Sequence, residues 1–284
     1  MKPQLSLTVL VDNTTLTDHY FMGEPGLSFI LETKEKKILF DTGYSDAFLA
    51  NAGKMGISLH NLHYIVFSHG HRDHTGGLVP LTSHLTGEKI NTVPCRIPEL
   101  IAHSRCFYPR PKAPLPNIGS VLSEAEVQRQ FKVNLSDKPL WITEDLVFLG
   151  EIQRKFSFEW TDPGTRKIVL PDGSTEPDLL LDDSALAYRS EKGLVIITGC
   201  SHTGICNITE YAREVCGERK VVDIIGGLHL LSPGPERMKK TGAYLRDLHL
   251  KNLHACHCTS LLAKLALASY SPIRETGVGM MIEW

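Results

Sequence analysis

Four donor residues fall within a run of six, His69-Gly70-His71-Arg72-Asp73-His74. Imidazole nitrogens and a carboxylate are the ligands that zinc, iron and manganese take. On an extended segment, residues two apart point to the same side. His69 and His71 can therefore face one cation together. Asp73 and His74 stand where the chain turns into a helix and can face a neighbouring position. A solvated loop that is merely rich in histidine is the bland alternative. The apolar strand directly before the run, at residues 64–68, argues against it, because a buried strand emptying into a polar loop is a rigid place for such groups.

One loop cannot fill two metal shells, so further donors must come from elsewhere. Three later apolar runs end in them: Cys200 and His202 after residues 194–199, His229 after residues 221–227, and His257 after residues 252–256. Buried strands that each end in an imidazole would converge on one edge of a sheet. Taken singly, each histidine is as well explained as a hydrogen-bonded core residue. Taken with the first loop, the ligand reading prevails for His202 and His257, whereas His229 can equally contact substrate or donate a proton. Asp41, at the end of the apolar run Ile38-Leu39-Phe40, can orient a metal-bound imidazole or simply cap a turn.

Cys256-His257-Cys258 has no Cys-x₂-Cys counterpart, so a structural zinc module is a weak reading. On a strand the two thiols would point away from His257. Cys95, Cys106, Cys206 and Cys216 suit small buried apolar positions. There is no G-x-S-x-G nucleophile elbow, Walker loop or dinucleotide glycine fingerprint.

The elements that must position these residues follow from the apolar pattern. Residues 5–11 form a strand; 27–31 and 38–40 form a hairpin around a charged turn. Residues 45–55 form a helix, with Ser45 as N-cap and Gly56 as its stop. A helical segment follows the histidine run to about residue 85. Strands are expected at 140–142, 146–149, 185–189, 194–198, 221–225 and 253–255. Helices are expected at 205–216, 235–250 and 261–269. Residues 104–165 stand apart: 108–116 is proline-dense and cannot be regular, and Ser123 with Glu126 suits a capping box. We expect this stretch to be an inserted subdomain, with the main domain at 1–103 and 166–284. Arg105, Arg110 and Lys112 within it can lid a site and meet an anionic substrate.

Composition narrows the class. The chain has 284 residues, 42% hydrophobic and 22% charged, which suits a globular core and excludes disordered or collagen-like chains. No apolar run reaches the ~20 residues of a membrane span, and the start of the chain lacks the apolar core of a signal peptide. A net charge of −2 carries no basic field for nucleic acid. Seven cysteines without a secretory signal point to reduced thiols and a cytoplasmic location.

The histidine run, preceded by an apolar strand and by Phe40-Asp41-Thr42-Gly43, resembles the metallo-β-lactamase superfamily. Asp182-Asp183-Ser184-Ala185-Leu186, Thr198-Gly199-Cys200-Ser201-His202-Thr203-Gly204, Ile225-Gly226-Gly227-Leu228-His229 and His257-Cys258-Thr259 are similar to one subgroup. That subgroup includes the archaeal dihydropterin–ribofuranosylaminobenzene-phosphate synthase. The resemblance implies an α/β fold, a four-layer αββα sandwich with a small inserted subdomain. It implies one or two divalent metals, zinc first and manganese or iron as alternatives. The implied ligands are His69, His71, Asp73, His74, Cys200, His202 and His257. Cys200 stands where the superfamily has an aspartate, which leaves the bridging position open between Cys200, a water alone and a weakly bound second metal. The expected chemistry is attack by activated water on an ester or phosphoester-type small molecule, with two cations ~3.5–4 Å apart. Asp73 and His229 are the acid–base candidates and Asp41 the orienting carboxylate. The alternatives are a metal-dependent transferase acting on a pterin diphosphate, a flavodiiron-like electron-transfer protein (for which no flavin signature exists), and a non-catalytic metal-binding module. The expected partner is a small anionic molecule, with neither nucleic acid nor membrane.

Overall fold

Alternating apolar residues draw Leu5–Val11 into strand β1, and the hairpin expected next forms from β2 (Ser28–Thr33) and β3 (Lys37–Phe40), with Ile30 opposite Leu39. Thr33 Oγ1 closes its turn by accepting from Lys36 N at 2.9 Å. Helix α1 (Ala47–Lys54) follows. Asp46 occupies its N-cap position without a side-chain bond, and Ser45 Oγ accepts from Ala47 N instead. The stop is as expected, since Gly56 takes the left-handed φ of 69° that favours glycine. Then come β4 (Tyr64–Val66), the single turn α2 (Arg72–Thr75), α3 (Leu78–Ile90), β5 (Glu99–Ala102), α4 (Glu124–Gln128) and β6 (Lys132–Leu135). The Ser123–Glu126 capping box at α4 is present in both directions.

Beyond these lie β7 (Leu140–Trp141), β8 (Leu146–Phe148), the hairpin β9 (Lys167–Val169) and β10 (Thr175–Pro177), β11 (Ala185–Ser190) and β12 (Gly193–Thr198). The chain closes with α5 (Ile205–Cys216), β13 (Val221–Gly227), α6 (Pro235–Asp247), β14 (Asn252–Cys256), α7 (Leu261–Leu267) and β15 (Met281–Glu283). This computed structural model describes residues 5–284. No helix among them is long and apolar enough to cross a membrane.

The chain divides into two compact units. Unit 1 holds the residues up to Leu135, Pro163–Leu179 and Gly277–Trp284; unit 2 holds Ser136–Asp162 and Leu180–Thr276. The stretch 104–165 is thus shared, 104–135 lying in unit 1 and 136–162 in unit 2. The sheet of unit 1 has the order β15-β1-β2-β3-β4-β5-β6, and that of unit 2 the order β14-β13-β12-β11-β8-β7. Both change character across their width. In unit 1, β15, β1, β2 and β3 are joined antiparallel, and β3, β4, β5 and β6 parallel. In unit 2, β12, β13 and β14 are joined parallel, and β11, β8 and β7 extend the sheet antiparallel. Register aligns the ends of the parallel strands: Phe40 pairs with Val66 and Val66 with Ile101, while Thr198 pairs with Gly226 and Gly226 with Ala255. The parallel strands of each unit therefore gather their carboxyl ends along one sheet edge, four in unit 1 and three in unit 2, the usual place for a site in an open α/β sheet.

Each unit has its own core. In unit 1, Leu10, Ile30, Leu39, Ile65 and Leu100 pack with Phe48, Leu81 and Val127 from the helices. In unit 2, Ile196, Ile224 and Leu253 pack with Ile208, Ala212, Leu245 and Leu267. Helix α5 buries Ile205, Ile208, Ala212 and Cys216, the stripe its 3.6-residue period sets. Each fully buried aliphatic side chain contributes roughly 1.5–3 kcal/mol relative to exposure.

Among the core strands, β14 carries a buried histidine. Burial, then the Arg274 charge, lowers the His254 pKa from 6.5 to about 4. The Asp223 carboxylate 3.9 Å away favours the charged form, but burial outweighs it. The folded state holds His254 neutral while the unfolded chain protonates below about 6.5. Its contribution is therefore full above pH 6.5 and is lost as pH falls toward 4. We expect His254→Gln to flatten the decline in stability over that window, by up to about 3 kcal/mol at its lower end, measured by urea denaturation at pH 7 and 4.5.

Candidate metal centre

In unit 1 the donors hang on a buried carboxylate. Asp41 follows β3 with a left-handed φ of 56° and is fully buried. Its Oδ1 accepts from Ser68 N at 2.7 Å, and its Oδ2 accepts from Ser68 Oγ and from His74 Nδ1, each at 2.7 Å. An ionised carboxylate can only accept, so the proton of His74 sits on Nδ1 and its Nε2 offers a lone pair. The same logic runs one residue further. Ser68 Oγ gives its one hydrogen to Asp41, so the His69 Nδ1 at 2.9 Å must donate to it. His69 likewise presents Nε2 as a lone pair.

That lone pair lies 3.1 Å from His71 Nδ1, and the His69 and His74 rings are 4.3 Å apart between centroids. Ligands on bonds of ~2.0–2.1 Å are about 3.3 Å apart in a tetrahedral shell, so the His69–His71 spacing suits a shared cation. Asp73 Oδ2, on a side chain about one-third exposed, lies 3.7 Å from His74 Nε2. The structure thus gathers Asp41, His69, His71, Asp73 and His74 in unit 1. His103, buried just after β5, joins the same strand edge; its Nδ1 accepts from Arg105 N at 3.1 Å.

Glycine and a buried ion pair shape the loop. A Cβ on Gly70 would lie 1.9 Å from the Cys106 carbonyl oxygen and 2.2 Å from Arg110 Nη1, so only glycine fits between the two histidines. Arg110 does not face substrate, contrary to expectation. It is fully buried, its Nε donating to Asp178 Oδ2 at 3.0 Å and its Nη1 to the Cys106 carbonyl at 3.2 Å. Arg105 pairs with Glu176 at 2.7 Å, while Lys112 is exposed. On the other side of the loop, the His74 carbonyl accepts from Thr42 N and Thr42 Oγ1.

In unit 2 the donors stand at the ends of β12, β13 and β14. Ser201, His229 and His257 have left-handed φ values of 55°, 48° and 49°. The donor atoms of Cys200, His202 and His229 lie within 4.8 Å of one another, as do those of Cys200, His257 and Cys258. The His202 and His229 rings are 4.2 Å apart. Ser201 Oγ lies 2.9 Å from Thr198 Oγ1 and donates to the Gly227 carbonyl at 2.7 Å, pinning the turn. Buried Asp183 accepts from Thr203 N at 2.8 Å. Burial raises its pKa to about 6 against the opposing hydrogen bonds from the backbones of Thr203 and His202.

Strict alternation would turn Cys258 away from His257. The left-handed backbone at His257 breaks that alternation and brings both donors together. His229 N donates to Cys258 Sγ at 3.2 Å. Burial opposes ionisation of Cys258, yet hydrogen bonds with Cys200 and His229 and the adjacent His257 take its pKa well below the ordinary thiol value. Cys258 and Ser68 are the contributors that sequence reasoning passed over. The signal for Cys258 was its place one residue beyond a strand-end histidine.

The donor chemistry fits a metal. Histidine nitrogens, thiols and carboxylates in buried surroundings suit zinc and its neighbours, and the buried His229 Nδ1 has no hydrogen-bond partner among the described residues.

A family model described as the metallo-beta-lactamase superfamily matches residues 22–213. Among curated proteins, the chain is 32% identical to the 7,8-dihydropterin-6-methyl-4-(beta-D-ribofuranosyl)-aminobenzene-5'-phosphate synthase of Methanocaldococcus jannaschii, over 89% of this chain and 90% of that protein. Among solved structures, it superposes with TM-score 0.82 and 26% identity on a metal-dependent hydrolase of the β-lactamase superfamily, covering 99% of both chains. The metallo-β-lactamase fold protein YhfI from Bacillus subtilis matches with TM-score 0.59 and 11% identity, over 98% of this chain and 99% of that one, a likeness of fold.

The Asp41 and Gly70 contacts are testable through metal affinity. Asp41→Asn removes an acceptor that orients His74 and, through Ser68, His69; we expect a 10–100-fold loss. Gly70→Ala forces the loop off Cys106 and Arg110, and a loss of at least tenfold is expected. Chelator competition with metal analysis measures both, with circular dichroism to check folding.

Proposed function

Because the chain belongs to the metallo-β-lactamase superfamily, we propose that it is a metal-dependent hydrolase acting on an ester or phosphoester-type small molecule. The observation that carries this reading is the Asp41–Ser68 pair, which sets His69 and His74 in the tautomer that presents the Nε2 lone pair to a cation. In this reading the candidate ligands are His69, His71, Asp73, His74, Cys200, His202 and His257. One or two divalent ions, zinc or alternatively manganese or iron, occupy them. Such an ion, when bound, supplies Lewis acidity and makes water nucleophilic near neutral pH.

The chain's own residues do the rest. Asp41 and Ser68 hold the imidazoles still, so that no reorganisation is needed during reaction. Asp73, the partly exposed carboxylate of the loop, takes the proton of the attacking water at Oδ2. His229 donates a ring proton to the leaving oxygen. The substrate is small and anionic in this proposal, and the setting cytoplasmic with reduced thiols.

A transferase is the second reading, favoured by the 32% identity to the synthase. A pterin diphosphate would then be the electrophile, and an acceptor would replace water. Product analysis separates the two. The protein loaded with zinc, manganese or iron should release product from phosphodiesters, lactones or diphosphates in water alone. Product formed only when an aryl acceptor is added would favour transfer. Metal retention without any turnover would favour a non-catalytic module. His71→Ala is expected to lower turnover at least 100-fold and to reduce bound metal. Full metal content in that variant would remove the ligand assignment.

A further inference from the structure

The third histidine cluster lies in unit 1 but uses none of the residues above. Helix α3 carries His84 and Glu88 one turn apart, at the i and i+4 spacing that puts both on one face. His60 meets them from the turn between α1 and β4. Its Nε2 lies 3.1 Å from Glu88 Oε2, and its ring stacks on His84 with centroids 5.7 Å apart and planes tilted by 26°. The donor atoms of all three lie within 4.8 Å of one another.

The backbone of His60 is held for this. Leu59 and Leu62 on either side are buried, and the His60 carbonyl accepts from Arg96 N at 2.7 Å. The His60 and Glu88 side chains are 34% and 22% exposed, so an ion can reach them from solvent without unfolding the helix.

An ion pair accounts for His60 and Glu88 but leaves His84 unexplained. Two stacked imidazoles repel each other once both are protonated, whereas a shared cation uses the lone pairs of both. The 3.1 Å separation between nitrogen and oxygen already matches the ~3.3 Å edge of a tetrahedral shell. We propose that His60, His84 and Glu88 form a second divalent-cation site. Two imidazoles and one carboxylate select zinc, nickel, cobalt or copper over magnesium or calcium, which prefer all-oxygen shells. The three protein ligands leave a fourth position for water. A cation there ties α3 to the turn that leads into β4, the two elements that flank the 69–74 loop in the chain.

Zinc is the probe. Full-length protein is compared with His84→Ala, His60→Ala and Glu88→Gln, all at partly exposed positions outside the loop. By equilibrium dialysis and metal analysis, wild type should bind one more zinc than either histidine variant, and Glu88→Gln should hold that zinc at least tenfold more weakly. Zinc in excess of the tightly held complement should raise the melting temperature of wild type and not of His84→Ala, while turnover stays within twofold. In zinc-soaked crystals, anomalous diffraction should place a peak 2.0–2.2 Å from both rings and the carboxylate. Equal zinc stoichiometry in wild type and both histidine variants overturns the proposal. So does a crystal with zinc on the 69–74 loop and none on His60, His84 and Glu88.

Discussion

The structure depends on strands that stop abruptly at their carboxyl ends. A strand that simply continued would send alternate side chains to opposite faces, and no cluster of donors could form at its tip. Here Asp41 after β3, Ser201 after β12, His229 after β13 and His257 after β14 all adopt left-handed backbone, with φ between 48° and 56°. None is glycine, so each costs on the order of 1–2 kcal/mol. Specific contacts offset that cost. The Asp41 carboxylate takes three hydrogen bonds from Ser68 and His74. Ser201 bonds Thr198 and the Gly227 carbonyl. His229 N donates to Cys258 Sγ. Strain at the strand ends and the hydrogen bonds that hold it are one device.

The two units use this device in the same way. In each, the sheet turns from antiparallel to parallel pairing, and the parallel half supplies neighbouring ends: β3, β4, β5 and β6 in one, β12, β13 and β14 in the other. Helices and loops return the chain from each end to the start of the next parallel strand. Donors far apart in sequence therefore become neighbours without any long-range side-chain recognition. Gly226 and Gly227 allow that closeness in unit 2. A Cβ on Gly226 would lie 1.9 Å from the Thr198 carbonyl, and one on Gly227 2.5 Å from Cys258 Sγ.

How much of this was legible depends on how local the cause is. The hairpin of β2 and β3, the capping box at Ser123 and helix α5 were readable because apolar period and capping chemistry act over a few residues. That His69 and His71 face each other was readable from extended geometry, and a carboxylate at the strand end from the place of Asp41 after the apolar run 38–40. Strands β5 and β6 were not read as strands, because four residues such as Glu99–Ala102 carry no alternation of their own and become a strand only by pairing with β4. Arg110 looked like a surface charge in a proline-rich stretch. Its burial depends on Asp178, 68 positions away, which no local pattern announces. Cys258 was missed because alternation was carried one residue past the point where His257 leaves the strand.

The pairing of β15 with β1 bears on how the chain assembles. Ser6, Leu7 and Thr8 lie opposite Glu283, Ile282 and Met281, so the first strand of unit 1 acquires its outer neighbour only from the last strand of the chain. Every residue of unit 2 precedes that strand in sequence. During synthesis, every residue of unit 2 is polymerised before β15 is made. Until then β1 is an open sheet edge, with unpaired amides available to another nascent chain. Covering that edge closes a very long loop, which must be ordered before the pairing is gained.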